Sequence, residues 1–98
     1  MKRPASRPKE AAETLAIQAL AFIAEEPDRL AAFLGATGLS PDSIRESASQ
    51  PHFLVGVLEH MLSNESLLVA FADSAGIDPA DIARARVAMG SHWERDLP

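Results

Sequence analysis

Residues 30–44 read LAAFLGATGLSPDSI, and residues 68–82 read LVAFADSAGIDPADI. Leu30, Phe33, Gly38, Leu39, Ser40, Pro41 and Ile44 return 38 positions later as Leu68, Phe71, Gly76, Ile77, Asp78, Pro79 and Ile82. In each copy an apolar run at helical spacing leads to a glycine, the residue that most easily takes the left-handed conformation ending a helix. An apolar residue and a Ser or Asp follow, then a proline. A hydroxyl or carboxylate before proline is how a capped helix begins, because the side chain accepts an unpaired backbone N–H and proline needs none. Each copy therefore predicts a helix, a stop and a second, capped helix.

The match extends upstream. Leu15, Ala16, Ala19, Leu20 and Ile23 correspond to Phe53, Leu54, Val57, Leu58 and Met61, again at helical spacing. Pro27 after Glu26 and Pro51 after Gln50 mark two further starts, and Gly90 reads as a third stop. Six helices are predicted, at about 9–25, 27–36, 41–48, 51–63, 65–75 and 79–89, and no segment alternates as a strand would. The fold class is all-α: a compact bundle of about six helices formed by internal duplication of a three-helix unit. The organisation expected is a basic tail over residues 1–8, one helical domain over 9–90 with units at about 9–48 and 51–89, and a C-terminal tail over 91–98. The first and fourth helices are apolar around most of their circumference, so they are expected to pack together at the centre under the shorter helices, with approximate two-fold symmetry. Phe33 and Phe71 read as core, and Leu39 and Ile77 as contacts tucked under the helix ends.

Composition sets limits on function. With 98 residues, 47% of them hydrophobic and 23% charged, the chain suits one globular domain. It contains no cysteine, which excludes disulfides, cysteine-ligated zinc and thiol catalysis. The longest low-polarity stretch, 11–24, holds Glu13, Thr14 and Gln18 and is shorter than the roughly 20 apolar residues of a membrane span. MKRPASRP lacks the apolar region of a secretory signal, so a cytoplasmic protein without membrane association is expected. Lys2, Arg3, Arg7 and Lys9 concentrate positive charge at the start, leaving five bases against fourteen acids over residues 10–98, a balance of −9. Such a surface repels phosphate backbones.

The repeated helix, glycine turn and capped helix match the outline of a helix-turn-helix, the alternative reading of this chain as a DNA-binding protein. The would-be recognition helices, however, begin with Ser40, Pro41 and Asp42 or with Asp78, Pro79 and Asp81, and only Arg45, Arg84 and Arg86 stand nearby. Negative charge at that end opposes binding. His52 and His60 lie about two turns apart, and His92 falls near the end, none at metal-ligand spacing. Glu25, Glu26 and Asp28 read as solvated charges at a helix start. No nucleophile elbow, phosphate-cradling loop or zinc-protease motif occurs. The sequence thus assigns no catalytic, cofactor-binding or metal residue and implies no cofactor. Trp93, Arg95 and Leu97, in the C-terminal tail, are the candidate partner-binding residues: an aromatic and an aliphatic anchor with an adjacent cation suit a groove on another protein, if Trp93 does not fold back onto the core.

Pro27, Leu30, Phe33, Leu34, Gly38, Leu39, Phe53, Leu54, Val57, Leu58, Phe71, Gly76 and Pro79 give residues 9–90 a pattern that resembles a family of short, all-helical, mainly alphaproteobacterial proteins carrying a domain of unknown function. These marks are apolar, glycine or proline positions, so the resemblance implies a shared helical fold and carries over no catalytic residue, cofactor or substrate. By elimination, the expected function is that of a small cytoplasmic accessory or regulatory protein, not an enzyme, acting through an unidentified protein partner. Nucleic acid is not an expected partner.

Overall fold

The computed structural model describes residues 8–48 and 50–95, and among them every regular element is helical. The helices are α1 (Pro8–Ala24), α2 (Pro27–Thr37), α3 (Pro41–Ser47), α4 (Pro51–Leu62), α5 (Glu65–Ala75) and α6 (Pro79–Arg95). Their starts follow the expected chemistry. The Ser40 hydroxyl accepts from the Ser43 N–H at 3.2 Å. Asp78 accepts from the Ala80 N–H at 2.9 Å, while Asp81 reaches back to the Asp78 N–H at 3.2 Å, a reciprocal pair that secures both ends of the turn. Asn64 caps α5 in the same manner, its carbonyl accepting from the Leu67 N–H at 3.1 Å.

Gly38 and Gly76 end α2 and α5 with φ of 76° and 72°. The two stops differ in their hydrogen bonds. The Gly38 N–H donates to the Leu34 carbonyl at 2.8 Å, and the Thr37 hydroxyl donates to the Phe33 carbonyl at 2.8 Å. In the second copy Ala75 replaces the threonine, and the Ile77 N–H instead donates to the Ala72 carbonyl at 2.9 Å.

The core gathers Ala12, Ala16, Ala19 and Ile23 of α1, Phe33 of α2, Phe53, Leu54, Val57, Leu58 and Met61 of α4, Leu67 and Phe71 of α5, and Ile82, Ala85 and Met89 of α6. Alanines on α1 let neighbouring backbones approach, and the large side chains of α4 fill the space. Each short helix places its phenylalanine against the long helix of the other half. Phe71 meets Phe22 with ring centroids 5.4 Å apart, and Phe33 meets His60 at 5.1 Å. Phe22 and His60 stand 38 positions apart, as do Phe33 and Phe71, so this exchange of rings follows the offset seen in the sequence.

The third helices depart from the expected symmetry. α1 and α4 do pack together, but α6 lies against both, and its contact with α1 is the most extensive of any helix pair. The centre is a trio of helices, whereas α3 buries no residue fully. Proline supplies the physical reason. Pro51 falls where the second half has Met89, and a proline there has no N–H to continue the helix and disfavours helical backbone at the preceding residue. α3 therefore stops after 7 residues, whereas α6 extends for 17.

Gly90 also departs from expectation, because α6 passes through it to Arg95. A glycine ends a helix only where the backbone turns left-handed, and the following SHWER contains no proline to stop the helix. Trp93 and Arg95 thus belong to the backbone of α6, while their side chains, and Leu97 entirely, lie outside what the structure describes. No single described helix is long and apolar enough to cross a membrane.

Candidate functional site

Helix α1 carries two apolar faces. Ala12, Ala16, Ala19 and Ile23 recur every three or four residues and are buried. Ile17, Ala21 and Ala24 are exposed and, with Leu20, which is partly buried at the edge of the core, form a second stripe beside the first. Together with Leu30 of α2 and Pro41, Ile44 and Arg45 of α3, this stripe lines an open groove of about 370 Å³ whose walls are mostly carbon. Ile17 retains 49% of its surface there, so a helix apolar nearly all round is not in this case buried all round.

The equivalent position on α4 is closed. Val55 occupies the position equivalent to Ile17 and is 9% exposed. Ile82 is fully buried, but its counterpart Ile44 is only partly covered. The difference traces to α3, too short and too lightly packed to cover α1 as α6 covers α4.

Two other depressions are explained by structure alone. A cleft between α2, α4 and α5 gathers Asp28, Arg29, His60, Asn64 and Ser66. Two of its polar side chains are engaged elsewhere: Asn64 caps α5, and Arg29 lies 4.0 Å over the Phe22 ring while donating to the Phe22 carbonyl at 3.3 Å. His60 rests edge-on against Phe33, and burial lowers its pKa from the ordinary imidazole value. A smaller trough, of about 260 Å³, follows the α1–α6 seam past Ala11, Leu15, Arg84 and Ala88. No group of three potential metal ligands occurs among the described residues.

The helix-turn-helix outline finds no support at α5 and α6. Asp78 and Asp81 crowd the start of α6, and the Asp81 carboxylate is held below the usual range by hydrogen bonds from the Arg84 side chain and the Asp78 backbone. Arg84 is committed to Asp81 and Arg86 to Glu59, the latter at 2.8 Å. On the corresponding α3, Arg45 lies 3.9 Å from Asp42. These cations already face carboxylates of their own chain.

Of the residues singled out in the sequence, Leu20, Leu30, Pro41, Ile44 and Arg45 reach the groove, whereas Trp93 and Arg95 lie on another element. Ile17, Leu20, Ala21 and Ala24 were legible only as core. The available signal was that α1 has more apolar circumference than one contact face needs, combined with a third helix cut short by Pro51.

Neither curated proteins nor solved structures give a match to this chain. A family model does match, over residues 9–92, and its description is a protein of unknown function, DUF3572. The match spans all six helices apart from their outermost residues, so the chain belongs to the DUF3572 family.

Proposed function

We propose that this protein is a non-enzymatic, cytoplasmic accessory module that acts by holding another protein in the groove formed by α1, α2 and α3. The observation that carries this reading is the apolar stripe of exposed Ile17, Ala21 and Ala24 with partly buried Leu20, on a helix whose adjoining face already supplies the core. A concave apolar surface with few polar groups suits recognition rather than chemistry, since it offers neither a nucleophile nor an acid–base pair. Acidic charge over the remainder of the domain disfavours nucleic acid and bare phosphate as the bound species.

The test is affinity capture with cross-linking from the cells that make the protein, using the full chain, Ile17→Ser, and a Trp93→Ala/Leu97→Ala double variant. Loss of the partner with Ile17→Ser and its retention by the double variant is the expected pattern. The opposite pattern moves the interface to the C-terminal residues, and failure to capture any specific partner overturns the reading.

A further inference from the structure

We infer that the groove is built for a basic amphipathic α-helix of the partner, which takes on the first half of the molecule the place that α6 takes on the second. This rests on the docking reading above and specifies the occupant. The comparison between halves argues for a helix. α6 seats Ile82, Ala85 and Met89 in the core, a run of eight residues whose seven steps span about 10 Å at 1.5 Å per residue. The exposed stripe on α1, from Ile17 to Ala24, has the same length. Where Val55 is covered, Ile17 is open, so the first half presents an apolar seat of helical length that α3 does not fill.

Charge argues for the sign of the occupant. Glu13 stands one helical turn before Ile17 and Glu25 one turn after Ala21, acids at either end of the α1 stripe, and Asp42 and Glu46 lie on α3 near Arg45, the one charged residue of the groove wall. Arg45 is itself beside Asp42. A helix with an apolar stripe bordered by Lys and Arg complements this rim. A second copy would bring the same acidic rim against itself, and an anionic bilayer would be repelled. The chain's own basic residues 1–9 hold only Met1 and Ala5 as apolar side chains besides proline, too little to fill the seat.

The probe is a synthetic helical peptide of leucine and lysine in amphipathic register, with a charge-reversed leucine and glutamate twin, titrated into the isotope-labelled full chain by NMR. The lysine peptide is expected to shift the resonances of Ile17, Ala21, Ala24, Leu30 and Ile44, to bind at least tenfold more tightly than its twin, and to weaken with salt. Ile17→Ser should weaken it about tenfold, as expected for a central apolar contact, with Val87→Ser on α6 as the unchanged control. Equal binding of the twins, shifts mapping elsewhere, indifference to Ile17→Ser, or a dimer that protects position 17 overturns the inference. If a cellular partner depends on Ile17 while neither peptide binds, docking stands and the basic helical occupant falls. If the lysine peptide binds the groove but no cellular partner is captured, the seat stands and the functional reading fails.

Discussion

Ile44 and Ile82 occupy the same position of the sequence repeat, and the structure gives them different roles. Ile82 has no exposed surface and sits where α6 meets α1 and α4. Ile44 is half-buried on a helix with no fully buried residue. Ile82→Ala removes three carbons from a closed environment, at about 0.8 kcal/mol each for lost burial plus a cavity term, giving roughly 3 to 4 kcal/mol. For a chain of this size each kcal/mol lowers Tm by about 4–8 °C, so Ile82→Ala should fall by about 15 °C or more. Ile44→Ala loses only part of the burial and leaves an open dent instead of a cavity, so about 1 kcal/mol is expected. Urea titration followed by circular dichroism, with equal m-values confirming that both variants unfold from comparable states, reads the difference directly. Equal losses would refute the reasoning, because they would mean that α3 is as integral to the core as α6.

Three further outcomes follow from the same geometry. Gly76→Ala should cost about 1–2 kcal/mol although nothing lies within 4 Å of the added carbon, because φ is +72°; Gly35→Ala, in the last turn of α2 with equal space, should instead stabilise by about 0.5 kcal/mol, and chemical denaturation distinguishes the signs. His60 has its pKa lowered by burial, so the unfolded chain binds its proton first as pH falls below about 6.5 and stability should decline there, reaching a plateau below the folded pKa; His60→Gln should flatten that part of the stability curve, and an unchanged curve would contradict the assignment. The Arg86–Glu59 ion pair ties α6 to α4 at 2.8 Å with both groups partly solvated, so a double-mutant cycle should give about 0.5–1 kcal/mol, decreasing in high salt.

What the sequence discloses and what it conceals have separate physical causes. Caps and stops are local chemistry, so Ser40, Asp78, Gly38 and Gly76 announced the helix boundaries that the structure shows. The pairing of Phe33 and Phe71 with the long helices was legible because both positions are aromatic at the same point of the repeat. The balance between α3 and α6 was not legible from periodicity, because it depends on which neighbours each helix finds. The decisive letter, Pro51, reads first as a helix start and only second as the limit on α3. Gly90 misled for a related reason: a glycine near a helix end specifies a stop only with a left-handed turn, and α6 continues instead. The groove was concealed most completely. Its residues are the same apolar types that build the core, and exposure of Ile17 emerges only once α3 is known to be short.

The central claim is that the open face of α1 is where this protein meets its partner. A photoreactive amino acid placed at position 17 in living cells tests it most directly, with the same residue at position 87, which is 63% exposed on α6, as the comparison. A discrete adduct on irradiation at position 17 and none at position 87 is the predicted result. Adducts of equal yield at both positions, or an adduct only at 87, would contradict it.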